Sequence, residues 1–280
     1  MPLIVLTYHS HNIAGNDYQN NDHVAFAADL ELLHLQGCEI VSLKRIVDEM
    51  LSRRLGGSRS LVALSFDDGP IFDVADFEHR EFGQQRSFLN LLRDFQGRHG
   101  DQAQPDLHAS SFVIASPAAR LAMQRSPDCG YPDQGEWLGE GWWRDAANSG
   151  LMSIENHSWD HVHHTVADAD ASPSERDNFH VIQTYPDANR QIRVAGEYIS
   201  ARVGECEMFA YPFGHAPDYL VNDYFPNRGY EHGMVAAFGT EGRGISSSDT
   251  HWNIPRAVCG HHWRTSEELR CLIREARSTA

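Results

Sequence analysis

Two short segments of this 280-residue chain carry residue types that could hold a metal ion and move a proton. The first is Ser65-Phe66-Asp67-Asp68-Gly69-Pro70, which follows an apolar run at 61–64. Neighbouring carboxylates at a strand end diverge, so one can ligate a cation while the other faces a water. The Gly-Pro that follows ends the strand at the carboxyl rim of a parallel sheet, where sites in such folds gather. An Asp-rich turn without chemistry would read the same way locally, because Asp-Gly-Pro is ordinary turn sequence. The second segment is Glu155-Asn156-His157-Ser158-Trp159-Asp160-His161, again after a β-rich run. Histidines at i and i+4 share a face if the turn after the strand is helical, close enough to chelate one ion. With 17 histidines in the chain, roughly one such pair arises by chance, so the spacing counts only in its context, a second strand end on the same rim. Two imidazoles and a carboxylate leave coordination positions open for water and substrate, a set that favours hydrolysis. Zn²⁺ is the first expectation, and Co²⁺, Ni²⁺ or Fe²⁺ suit the same donors.

The elements that must position these residues read as short apolar runs at 3–8, 61–66, 110–115, 152–155, 208–211, 234–238 and 253–258. Helical patterns fall between several of them, at 24–35 (with Phe26, Leu30 and Leu33 at helical spacing), 43–55, 87–95, 142–147, 188–201 and 266–276. Strands alternating with helices predict an α/β fold with a parallel sheet. About seven strands make closure into a distorted (β/α)7-type barrel, related to the TIM barrel, plausible, although the pattern alone does not separate a barrel from a doubly wound sheet. Long polar stretches at 71–86, 97–107, 125–141 and 162–185 read as loop insertions, lengths that usually serve function. Tyr131, Trp137, Trp142 and Trp143 lie in or beside the third of these; such rings can pack on sugars, but a structural role is the preferred reading.

A chain of this length with 41% apolar residues can bury one core, so residues 1–280 are expected to form one domain. The balance of 23 Lys+Arg against 39 Asp+Glu, a net charge of −16, argues against nucleic acid and anionic membrane partners. Cys38, Cys129, Cys206, Cys259 and Cys271 are an odd, widely spaced set without a CxxC pair, which suggests buried free thiols rather than disulfides or a zinc knot. The opening residues lack a basic segment and a signal core, and no run is long enough to span a bilayer. A cytoplasmic location is expected on that basis, with an exported mature form the alternative. Oligomeric state is not legible.

Taken together, the motifs resemble those of the polysaccharide deacetylases, the NodB-homology or carbohydrate esterase family 4 group. Ser65-Phe66-Asp67-Asp68-Gly69-Pro70 is similar to their first motif, His157-Ser158-Trp159-Asp160-His161 to the second, His-Ser/Thr-x-x-His, and Phe209-Ala210-Tyr211-Pro212-Phe213-Gly214 to the third. The resemblance covers roughly residues 60–260 and implies a NodB-like barrel. It further implies that Asp67 is the general base, that Asp68, His157 and His161 bind the metal, and that backbone near Phe213 receives the oxyanion. No Leu-x-His-Asp-like final motif follows Arg256. Leu6-Thr7-Tyr8-His9 instead resembles the Tyr-His opening of the circularly permuted members, such as the poly-N-acetylglucosamine deacetylases, so His9 is the expected general acid and His261 the reserve. In a closed barrel the first and last strands are neighbours, which lets either chain end reach one pocket. Ala210 stands where the third motif often has an arginine that pairs with the catalytic aspartate; Arg256, in Ile254-Pro255-Arg256, is the expected substitute.

The implied reaction removes an acyl group, acetyl foremost, from the amide nitrogen of an amino sugar or related carbohydrate. A divalent ion would lower the pKa of water from about 16 towards about 7. Two other readings stand beside it: hydrolysis of small cyclic amides or ureides, as in allantoinase-like and imidase-like relatives, and a non-catalytic carbohydrate-binding protein. A metal held by His161, His163 and His164 is a lesser alternative.

Overall fold

The computed structural model describes residues 2–52, 59–129, 131, 135–166 and 176–279. Two strands, β1 (Leu3–Tyr8) and β3 (Leu61–Phe66), are buried at every position, the continuous apolar reading of a parallel strand covered on both faces. They pair in register from Leu3↔Leu61 to Tyr8↔Phe66. The short β2 (Glu39–Val41) pairs the first half of β3, and β6 (Ala109–Val113) pairs the second half. From β6 the parallel sheet continues through β7 (Met152–Asn156), β8 (Met208–Ala210) and β9 (Ala236–Phe238), while β10 (Ala257–Val258) pairs β1 on the far side. A parallel bridge Phe238↔Ile254 ties β9 to the segment entering β10, so the sheet curls into a half-barrel whose edges are linked.

Strand alternation divides the core. Leu3, Val5, Leu61, Ala63, Phe112, Met208, Ala210, Ala236 and Phe238 form one cluster, and Phe112 of β6 meets Phe238 of β9, 5.8 Å between ring centroids, across the curl. Ile4, Leu6, Tyr8, Val62, Leu64 and Phe66 belong to a second cluster with residues of the outer helices Asp22–Leu35, Phe88–His99, Ala195–Val203 and Ser266–Thr279. The first two of these helix starts are capped by side chains, Asn21 and Ser87, which accept from first-turn N–H groups.

This is the α/β, barrel-like architecture the element pattern predicts, with local differences. The strand expected at 253–258 contracts to two residues, because Pro255 has no N–H to give a ladder. The expected loop 71–86 contains a hairpin, β4 (Phe77–His79) and β5 (Gly83–Gln85). A helix at Pro117–Arg125, with Ser116 as cap and proline in its first turn, was not anticipated. The helix expected at 188–201 starts at Tyr185 and passes through a π-helical turn, Asn189–Val194. The helix expected at 43–55 is Leu43–Leu51; 53–58, like 130, 132–134 and 167–175 of the expected long loops, lie outside the described residues. All five cysteines are free, but only Cys38, Cys206 and Cys259 are buried, since Cys129 and Cys271 sit on partly exposed elements. No helix among the described residues is long and apolar enough to cross a membrane.

Candidate active site

The site forms where strands end side by side. Because β1 and β3 run in register, His9 and Asp67 leave neighbouring strands at one level, and Asp67 N–H donates to the Tyr8 carbonyl at 3.2 Å. The chain then turns through two left-handed residues, Asp68 (φ 72°) and Gly69 (φ 68°). A Cβ on Gly69 would stand 2.5 Å from Val113 Cγ1, so this turn requires glycine.

The two carboxylates meet different partners. Asp67 accepts from Arg256 Nη1 at 2.7 Å and Nη2 at 2.9 Å, a bidentate pair in which the arginine is fully buried. Arg256 also donates to the Gly239 carbonyl at 3.0 Å and to Ser65 Oγ at 3.3 Å. Burial would raise the Asp67 carboxyl, but the Arg256 charge, His157 and the Arg256 hydrogen bonds outweigh it and hold the group below its ordinary value. The expected substitute for the missing arginine therefore reaches Asp67 from the β10 side.

Asp68 Oδ1 lies 3.6 Å from His157 Nε2 and 3.5 Å from His161 Nε2, with one donor atom of each residue within 4.8 Å of the others. His157 Nδ1 is 3.0 Å from the Ala210 carbonyl, which can only accept, so this nitrogen carries the proton and Nε2 keeps its lone pair free towards Asp68 and His161. Burial drives the His161 imidazole down to about 3. Burial would raise Asp68, but His161, His11 and His157 more than reverse this and keep it ionised. A neutral imidazole beside an ionised carboxylate is the protonation pattern a divalent ion needs, so the residues present fit one.

The histidine pair does not sit on a helical turn, as its spacing had suggested. Ser158 (φ 73°), His161 (φ 61°) and Val162 (φ 50°) are left-handed, and this irregular loop brings the two rings to 4.8 Å between centroids. It is held from the π-helical turn: Gln191 Oε1 accepts from Trp159 N–H at 3.1 Å and Asp160 N–H at 3.3 Å, and Gln191 Nε2 donates to Asp160 Oδ1 at 2.8 Å.

A cavity of about 540 Å³ opens above these groups, lined by His9, Asp67, Asp68, His157, His161 and Phe213. Phe213 (φ 59°) projects from its turn, 40% exposed, edge-on to His161 at 4.4 Å. The turn's own bonds use the N–H groups of Gly214 and His215, not that of Phe213. His261 reaches the same cavity from an exposed position beyond β10. Of the aromatic residues singled out, Trp137 lines the cavity, Tyr131 donates to the His11 carbonyl, and Trp142 and Trp143 belong to the core. His163 and His164 do not join His161; they stack on each other at 4.3 Å and form a second, largely exposed group with Asp177, which already pairs with His164 at 2.9 Å.

Sequence reasoning missed His11, which lines the cavity with Nδ1 3.8 Å from Asp68 Oδ2. The strand has ended by then and His9–Asn12 is a turn, closed by Asn12 N–H to the His9 carbonyl at 2.9 Å, so the only available signal was a second histidine close behind His9.

No family model and no curated protein matches the chain. Its fold is the NodB-like fold of solved deacetylases. These include the Streptococcus pyogenes deacetylase PplD, solved with acetate (TM-score 0.59, 15% identity, covering 98% of each chain), and IcaB from Ammonifex degensii (TM-score 0.57, 17% identity, 99% of this chain and 97% of that one). A de-N-acetylase from Aggregatibacter actinomycetemcomitans aligns at TM-score 0.55 and 16% identity over 93% of this chain and 96% of its own.

Proposed function

We propose that this chain is a metal-dependent hydrolase that removes an acyl group, foremost acetyl, from the amide nitrogen of an amino sugar or related carbohydrate, with residues 1–280 as one catalytic domain. The observation that carries this reading is the buried Asp67–Arg256 pair set beside the Asp68, His157, His161 trio in one cavity. A metal-binding scaffold has no need of a second carboxylate kept ionised beside its ligands and outside their set. The fold shared with solved deacetylases supports the same reading.

Asp68, His157 and His161 would hold the ion, Zn²⁺ in the first instance, which when bound polarises the acyl carbonyl and acidifies water. Asp67, fixed and ionised by Arg256, takes the proton from the attacking water. The Phe213 N–H, left out of its own turn's bonds, faces the developing oxyanion. His9 gives a proton to the departing amine. Its backbone is pinned, since His9 N–H donates to Asp22 Oδ2 at 2.7 Å, whereas His261 sits on an exposed turn.

Metal content and amine release from N-acetylglucosamine oligomers test this together. About one Zn²⁺ per chain, lost in Asp68→Ala and His157→Ala, with amine released by the wild type alone, is expected. Metal bound without amine release from the oligomers, but with ring opening of cyclic ureides or imides, would replace the substrate class. Absence of metal would overturn the reading.

A further inference from the structure

We propose that His11 is a further active-site residue, a positioning residue that donates through Nδ1–H to the second oxygen of Asp68 and so fixes how that carboxylate presents its first. The proposal rests on the metal-centre reading above and adds a residue to it.

Asp68 divides its two oxygens. Oδ1 faces His157 and His161 at 3.6 and 3.5 Å, while Oδ2 faces His11 Nδ1 at 3.8 Å. A ligating carboxylate uses one oxygen on the ion and keeps acceptor capacity on the other, and such second oxygens are normally held by a donor. His11 Nδ1 is buried and has no hydrogen-bond partner. A buried ring nitrogen left unpaired costs about 1–3 kcal/mol, and in the tautomer with its proton on Nδ1 this nitrogen is an unmet donor that faces Asp68 Oδ2. Their separation exceeds a hydrogen bond by roughly 1 Å, a gap that a small side-chain rotation closes.

The backbone around His11 is built to aim it. In the segment His9-Ser10-His11, the middle residue points the other way and is anchored: Ser10 Oγ donates to Asp73 Oδ1 at 2.5 Å, and Asp73 Oδ2 accepts from Ser111 Oγ of β6 at 2.7 Å. The Ser10 carbonyl lies 2.7 Å from His23 Nε2. On the other flank, the His11 carbonyl accepts from Tyr131 Oη and from Ile13 N–H. With Ser10 tied inward, His9 and His11 both line the cavity, their rings 5.5 Å apart and nearly perpendicular. One histidine thus stands at the level of Asp67 and the next faces Asp68. His11 is 29% exposed, so replacing it leaves the core intact.

The test is Zn²⁺ affinity of the full chain, measured by competition with a chromophoric chelator, in wild type, His11→Ala, His11→Asn and Asp68→Ala. Asparagine places an amide N–H near the position of the imidazole Nδ1–H. The expected result is a loss of about 10–100-fold in affinity for His11→Ala, with stoichiometry still near one at saturating metal, and recovery of most of that loss in His11→Asn. Wild-type affinity in His11→Ala would overturn the proposal while leaving the metal centre standing. Loss as complete as in Asp68→Ala, without rescue by asparagine, would also overturn it, by making His11 a ligand. A wild type that binds no Zn²⁺ would remove the metal centre and this proposal with it.

Discussion

Asp67 and Asp68 are neighbours in the chain, but the structure secures them by different means. Asp67 ends a regular strand: its N–H continues the β1–β3 pairing, and both its oxygens are taken by an arginine one residue before β10. Asp68 has left the strand at φ 72°, and of its partners His157 still continues the β6–β7 pairing through its N–H to the Val113 carbonyl, while His161 comes from a loop with three left-handed residues, held by Gln191 as well as by backbone bonds from Ala115 and Ser116. The proposed base is therefore positioned by sheet register, and the proposed metal centre by register at His157 and by loop hydrogen bonds at His161. Damage to the first should be costly to fold and turnover together; damage to the second should be graded and visible mainly in metal affinity.

The largest effect should come from Arg256→Met. It leaves a buried carboxylate without its charge partner, which destabilises by about 3–5 kcal/mol. Turnover should fall by at least the 10²–10⁴ typical of a lost general base, because Asp67 then protonates more easily. Asp67→Asn should lose turnover to the same degree yet keep Zn²⁺. The pair also has a pH signature. The folded Asp67 carboxyl lies below its unfolded value, so its contribution is present above about pH 4 and is lost as pH falls through the folded pKa. Arg256→Met should erase that acid-side loss in urea unfolding. A variant that stays as stable and active as wild type would mean the two carboxylates are not held differently at all.

Gln191→Ala sharpens the other half. Three hydrogen bonds to the Trp159–Asp160 backbone and the Asp160 carboxylate disappear, while no ligand is touched. Zn²⁺ affinity should weaken by about 10–100-fold, with kcat near wild type once metal is saturating. Chelator competition beside saturated-metal kinetics separates the two quantities; an unchanged affinity would show that the left-handed loop is stable without its clamp.

The same contrast explains what the sequence disclosed. β1 and β3 were legible to the residue because parallel strands buried on both faces leave uninterrupted apolar runs. Asp67, Asp68, His157 and His161 were legible because each directly follows such a strand or its first turn. The conformation joining His157 to His161 was not, since Ser158, His161 and Val162 are left-handed at residues that carry no glycine signal. β2 and the β4–β5 hairpin are three residues per strand, and unlike the equally short β8 and β9 the two hairpin strands are mixed polar sequence rather than apolar runs. Gln191 and Asp73 act through partners 31 and 63 residues away along the chain, and no local pattern announces a contact of that range.

Asp73 supplies the smallest and most specific test, because it lies beneath the segment that carries His9 and His11. Burial pushes its carboxyl up to about 7, against the hydrogen bonds of Ser10 and Ser111 that favour ionisation. Between the unfolded value near 4 and that folded value, the native state holds a proton the unfolded chain has released, so Asp73 makes stability fall as pH rises from about 4 to about 7 and then level off. Asp22, Asp29 and Glu155 are raised by burial in the same way, to about 6, 7 and 7, and share the slope. Asp73→Asn cannot ionise but keeps an oxygen and an N–H for the two serines, so it should remove only its own share. Urea midpoints taken from pH 4 to 8 should fall less steeply than in wild type, and turnover at pH 7 should change by no more than a few-fold because Ser10 keeps its anchor. An unaltered slope would mean that Asp73 is already ionised in the folded protein, and the turn carrying His9 and His11 would then rest on a buried negative charge rather than on a neutral hydrogen-bonded acid.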